Sequence, residues 1–170
     1  MNHDNRSADE VAKERAAAAV EAARQLGDAE LDYSLESVRY VEQTLAEFHK
    51  EGLRSNTHPN TVWAIACYLG EVIVRQAGGE WIWGRDFPDK FPGPPELPYV
   101  RLPGDVTIST FGKVAGRLDG DDGDNVEFFC KMIMKTFGPG AANPKAQDPT
   151  PSPPPGPSKP SFWKRLFGKG

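Results

Sequence analysis

The chain has few of the residues that most often carry chemistry. Its 170 residues include 2 cysteines, 3 histidines and 3 methionines. His3, His49 and His58 are scattered and form no His-Glu-x-x-His arrangement, and Cys67 and Cys130 form no Cys-x-x-Cys pair. Zinc-ligand spacing is therefore absent, and neither a metal nor another cofactor is expected. There is no glycine-rich phosphate loop and no nucleophile elbow, so no residue is assigned a catalytic role. No segment approaches the roughly 20 apolar residues of a membrane-spanning helix, and the first ten residues lack the apolar run of a signal peptide. The expectation is a cytoplasmic chain whose two cysteines, each set in an apolar helical pattern, are small core residues rather than a disulfide.

Hydrophobic residues at 38% and charged residues at 26% are the proportions of a folding chain. Proline and glycine are abundant, at 16 and 17 residues, and nine of the prolines fall between Pro139 and Pro160. Charge is divided as unevenly. Residues 1–138 hold 15 Lys and Arg against 23 Asp and Glu, a net of −8, while residues 139–170 hold five against one, a net of +4. An acidic body argues against nucleic acid, which requires a basic face to neutralise phosphates. The expected organisation is an alanine-rich helix in residues 1–27, a globular domain over 28–138, a proline-rich linker over 139–160 and a basic aromatic motif over 161–170.

Residues 8–26 have high helix propensity but little apolar bulk, which predicts a helix loosely docked at best. Ser34 is placed to cap a second helix, in which Val38, Val41, Leu45 and Phe48 form an apolar stripe and Glu42 lies off it. The third helix, from about Asn60 to Gln76, carries so few polar residues that it should be central, and Gly78-Gly79 stops it. Trp81-Ile82-Trp83, Tyr99 to Leu102 and Val106 to Ser109 read as short strands. The last two are joined through Pro103-Gly104, and the prolines at 88, 92, 94, 95 and 98 are expected in a surface loop, outside any central ladder. Phe111, Val114 and Leu118 have helical spacing. After the acidic loop from Asp119 to Asp124, a last helix is expected to start with Asp124 and Glu127 as a capping pair and to bury Val126, Phe129, Cys130, Ile133 and Phe137. The fold class is α+β, helices packed with a small antiparallel sheet of about three short strands, followed by a disordered C-terminal tail.

The acidic loop fails the register of a calcium-binding EF-hand, because Gly123 stands where an oxygen ligand is needed and Cys130 stands at the twelfth position. Glu71 lies within the most apolar helix, one turn before Arg75. A buried carboxylate there must be paired, and two readings stand: a structural ion pair or, beside Trp81 and Trp83, part of a cleft holding a general acid or base. The two tryptophans and the prolines after them suggest a groove for an extended peptide, although strand alternation more readily turns both indoles into the core.

The C-terminal segment concentrates the strongest signal. Beyond the prolines, Phe162, Trp163, Lys164, Arg165, Leu166 and Phe167 place two apolar pairs one helical turn apart, with the cations between them. Ten residues are too few for a stable isolated helix. Such an element acts when docked, and three surfaces suit it: a partner protein, an anionic membrane that it would bind weakly, or the acidic body of its own chain.

Leu31-Asp32-Tyr33-Ser34 followed by Ser37-Val38, then Tyr68-Leu69-Gly70-Glu71-Val72, Gly78-Gly79-Glu80-Trp81 and the segment from Tyr99 to Phe129, resemble a family of small bacterial domains of unknown function. The resemblance implies a soluble domain in which Gly70, Glu71 and Trp81 belong to one feature, and it implies no catalytic residues. The leading expectation is a non-enzymatic protein-interaction module, an adaptor or an immunity-type inhibitor, with a tethered docking motif. The alternatives are a small enzyme using Glu71 and a peripheral membrane protein attached through the tail. Nothing in the sequence sets the oligomeric state.

Overall fold

The computed structural model describes residues 6–26, 29–87 and 92–140. Most of the proline-rich linker, and the motif from Phe162 through Trp163, Lys164, Arg165 and Leu166 to Phe167, lie outside the described residues. Five α-helices and three strands follow one another: α1 (Ala8–Leu26), α2 (Leu35–Lys50), α3 (Pro59–Ala77), β1 (Glu80–Trp83), β2 (Pro98–Leu102), β3 (Val106–Ile108), α4 (Thr110–Asp119) and α5 (Val126–Phe137). The fold is α+β, as the sequence pattern implies.

α3 is the axis of the structure. Of its 19 residues 13 are buried, and α1, α2, α4, α5 and β2 all pack on it. Proline at its first position supplies a preset φ and lacks only an N–H that would have no helical partner. Gly78 ends it in the left-handed region at φ 74, its N–H bonded to the Val74 carbonyl.

Contrary to the expectation of loose docking, α1 is a full member of the core. Ala8, Val11, Ala12, Ala16, Ala19 and Ala23 are buried in steps of three and four along its length, and the helix packs on α3 and β1. Low apolar bulk does not weaken this contact, because short side chains let two helix backbones approach closely and exclude water from the seam. A reciprocal pair fixes its start: Ser7 Oγ accepts from the Glu10 N–H at 3.2 Å, and the Glu10 carboxylate accepts from the Ser7 N–H at 2.9 Å.

The expected stripe of α2 is buried and Ser34 caps the helix, its side chain accepting from the Ser37 N–H. Glu42 departs from expectation. It lies on the flank of that stripe and is only 7% exposed, holding Arg117 Nε at 2.5 Å and the Val126 N–H at 2.8 Å. One carboxylate thus ties α2 to α4 and to the first turn of α5.

The sheet is antiparallel in the order β1-β2-β3, with Trp81 opposite Val100 and Val100 opposite Ile108. The three-residue turn between β2 and β3 places Gly104 and Asp105 at positive φ, which glycine and aspartate tolerate. Pro98 corrects the expectation that the prolines stay out of a central ladder. It is the first residue of the central strand, opposite Trp83, a position where a missing N–H does least harm. Ser109 does not extend β3 but caps α4, accepting from the Gly112 N–H.

Two further corrections concern α5. Its cap is Asn125, which accepts from the Phe128 N–H at 2.7 Å, while Asp124 instead holds Lys113 at 2.5 Å. Of the expected buried stripe, Val126 and Cys130 are fully buried, and Phe129, Ile133 and Phe137 are half-buried. Phe128 and Met132 face outward, 64% and 46% exposed.

The alanine seam makes a direct prediction. Ala16→Leu should destabilise the protein by about 1–3 kcal/mol in urea unfolding, because the added volume has no space. The neighbouring exposed Ala17→Leu should change stability by less than about 0.5 kcal/mol. Equal effects would contradict the close packing of α1 on α3.

Candidate functional site

Two places bring together the residues to which the sequence pointed. The first is built around Glu71, which is 2% exposed in the middle of α3. Its Oε1 accepts from Arg75 Nε at 2.8 Å and its Oε2 accepts from the Trp81 indole N–H at 3.2 Å, so both oxygens have partners. The indole reaches this position because residue 70 is glycine. A Cβ there would stand 2.1 Å from the Trp81 ring, well inside van der Waals contact.

The Arg75 side chain, about half exposed, lies with its guanidinium 3.6 Å from the centroid of Tyr33, giving a cation–π contact. Tyr33 stacks on Tyr68 with centroids 5.1 Å apart. The Tyr68 hydroxyl accepts from the Tyr33 N–H at 3.0 Å and lies 2.6 Å from Ser37 Oγ. Because Ser37 donates its own proton to the Ser34 carbonyl, Tyr68 is the donor in that short contact. Burial raises the Tyr68 hydroxyl pKa above its ordinary value. Tyr33 adopts φ 63, and its carbonyl accepts from Gln76 Nε2 at 2.6 Å. The network ties the start of α2 to α3 and β1.

Trp83 belongs to the same buried strand face but not to the Glu71 cluster. Its indole donates to the Arg6 carbonyl at 3.1 Å, and Arg85 lies 4.8 Å from its ring centroid. Trp81 and Trp83 are 7% and 6% exposed, so both are core residues. Glu71, Arg75 and Trp81 therefore meet, Trp83 stands apart from them, and the chemistry of the trio is mutual satisfaction.

The second place is an apolar groove of ≈ 410 Å³ at the N-terminal end of α3. Pro59, Val62 and Trp63 supply one wall from the first turns of α3; Phe111 and Ala115 of α4 supply the second; Pro94, Leu97 and Tyr99 close the third. Trp63 is half-buried and meets Phe111 edge-to-face at 4.8 Å. The proline-rich stretch is held by β-like bonds, Gly84 N–H to the Leu97 carbonyl at 2.9 Å and Arg85 N–H to the Pro95 carbonyl at 3.0 Å. The expected partnership of tryptophan and prolines thus exists, but with Trp63 in place of Trp81 and Trp83. No local signal marks Trp63 for this role, because its place in the most apolar helix reads as core, and only the packing of α4 and the proline-rich stretch leaves its ring partly uncovered. Another groove, of ≈ 330 Å³, runs between α1 and α3 past Arg15, Glu21 and Asn60. Glu71 lines neither.

The rim of the Trp63 groove is charged. Ser55 donates its N–H at 2.8 Å and its hydroxyl at 2.6 Å to Asp119, and these bonds hold the Asp119 carboxyl below its ordinary pKa and therefore ionised. Glu96 is exposed beside Leu97. Of the cations nearby, Lys113 is held by Asp124, while Arg54, bonded to the carbonyls of His49 and Leu53, keeps its charge and helps hold Asp119 ionised. Among the described residues no cluster of His, Cys, Asp and Glu is arranged to hold a metal ion. His49 contacts the Leu118 carbonyl at 2.9 Å, and His58 contacts Thr57 Oγ1 at 2.8 Å. Asp121 in the acidic loop accepts from the Gly123 N–H.

The chain matches no protein-family model, no curated protein and no solved structure. No helix among the described residues is long and apolar enough to cross a membrane.

Two measurements test this geometry. Glu71→Gln should lower stability by about 1–3 kcal/mol, the range for hydrogen bonds to a charged group. Gly70→Ala should also destabilise, although alanine is intrinsically better than glycine in a helix by about 1 kcal/mol. A neutral result for both would remove the Glu71 cluster as a structural element. Burial pushes the thiols of Cys67 and Cys130 up to about 12. Both should resist a disulfide reagent at pH 8 in the native protein and react when it is denatured, since the thiolate is the attacking species. Rapid native reaction of either would contradict its burial.

Proposed function

We propose that this protein is a non-enzymatic protein-interaction module whose receptor surface is the Trp63 groove, and that it binds a short apolar segment carrying basic residues. The groove itself carries the reading: ≈ 410 Å³ of open, largely apolar surface, built on rigid elements around a tryptophan and a phenylalanine. Aromatic side chains in such a setting dominate binding energy at protein interfaces. Prolines on one wall reduce the entropy lost when the wall is ordered by a ligand. The acidic rim at Asp119 and Glu96 selects for cations next to the apolar anchors.

Glu71, the candidate for an enzymatic role, is occupied on both oxygens and lies outside the groove. That arrangement favours binding over catalysis. Free, buried Cys67 and Cys130 fit a reducing compartment such as the cytoplasm. An adaptor or an inhibitor of a basic partner protein would use such a surface in the same way.

Selection of 12-residue displayed peptides on the full chain should enrich aromatic or leucine anchors three or four residues apart with Lys or Arg between them. Trp63→Ala should weaken the selected peptides about tenfold or more while the thermal transition stays cooperative. The reading fails if nothing is enriched, or if the peptides bind Trp63→Ala as well as the wild type.

A further inference from the structure

We propose that the Trp63 groove is occupied in the resting protein by the chain's own C-terminal motif, with Phe162, Trp163, Leu166 and Phe167 in the groove and Lys164 and Arg165 toward the acidic rim. This inference rests on the groove being a peptide receptor and names its first ligand.

Reach permits it. The described residues end at Gly140, and a segment of 22 residues, the number from Pro139 to Pro160, can reach at most about 60–70 Å at the polyproline rise. A body of this length has a radius of gyration of roughly 14 Å, so the motif can reach any face. Chemistry selects among the faces. The motif has two apolar pairs at one-turn spacing and two cations, and the groove has aromatic walls, with Asp119 bonded to its lining residue Ser55 and Glu96 next in the chain to its lining residue Leu97. The competing apolar surface is the outer face of α5, where Phe128 and Met132 are exposed. That face also carries Lys131, bonded to Glu127, and exposed Lys135, which leaves a net positive charge that disfavours Lys164 and Arg165. The net charges of −8 for residues 1–138 and +4 for residues 139–170 favour association within the chain. Tethering adds an effective concentration in the millimolar range.

The consequence is competition. A partner segment must displace the tail, so the tail sets an affinity threshold for the groove without altering the groove. With a tether at millimolar effective concentration and a motif affinity near 100 µM, apparent partner affinity falls about tenfold.

The test compares the full-length wild type with full-length Trp163→Ala/Phe167→Ala, two changes outside the described body. Methyl NMR spectra should differ at Val62, Leu97 and Ala115, independently of protein concentration, and remain the same along α5. A groove-binding peptide selected on the double variant should bind that variant about tenfold more tightly than it binds the wild type. The proposal is overturned if the methyl spectra coincide, if the differences map to α5, or if they grow with protein concentration, which would indicate a second copy as the occupant. It is also overturned if the peptide binds both chains equally, in which case the groove remains a receptor. Failure to select any peptide on the double variant would instead remove the receptor reading itself. Vesicles of anionic lipid provide the last arm. If they retain the wild type and not the double variant, while the groove methyls are unchanged between the two in the absence of lipid, the tail is a membrane element and the proposal falls.

Discussion

The indole of Trp81 lies directly against the α3 backbone because residue 70 has no side chain, and α3, β1 and the loop before α2 are joined through that contact. It delivers the indole N–H to Glu71 and fixes β1 against a helix that is buried on nearly all sides. A carboxylate at that depth costs several kcal/mol if unpaired. Trp81 and Arg75 together meet that requirement, and Arg75 in turn anchors on Tyr33. The loop before α2, the central helix and the first strand therefore share one polar network. A residue pair that in sequence looks like a candidate acid or base is the means by which a helix carries a charge through the core.

The same logic recurs at Glu42. It is buried beside the apolar stripe of α2, pairs with Arg117 and accepts from the first N–H of α5. The two carboxylates divide the labour: Glu71 joins α3 to the sheet, and Glu42 joins α2 to α4 and α5. With the scaffold fixed in this way, the first turns of α3, the face of α4 and the proline-rich approach to β2 are held apart as three rigid walls, and the Trp63 groove lies between them. The groove thus lies between elements that internal ion pairs tie together.

How much of this was legible beforehand depended on how local each feature is. The stripe of Val38, Val41, Leu45 and Phe48, the capping Ser34, the nearly all-apolar α3 and the three short strands were readable, because periodicity and capping involve residues within a turn or two of one another. The pairing of Glu71 with Arg75 was readable for the same reason, being one turn apart. The docking of α1 was not, since alanine gives a weak burial signal in sequence and becomes a packing residue only when another helix comes close. Nor was the choice of Trp63 over Trp81 and Trp83 as the groove tryptophan. All three are aromatic residues near turns, and only the path of the chain shows which ring is left partly uncovered.

The sequence by itself determined the fold class, the central position of α3, the buried state of both cysteines and the division of charge between residues 1–138 and 139–170. Each of these follows from composition or from spacing along one element. Tertiary structure alone decided that Glu42 is a buried anchor, that Phe128 and Met132 face outward from α5, and that the prolines line a groove with Trp63 and Phe111. These are relations between segments tens of residues apart, and no local pattern encodes which face of one element meets which face of another.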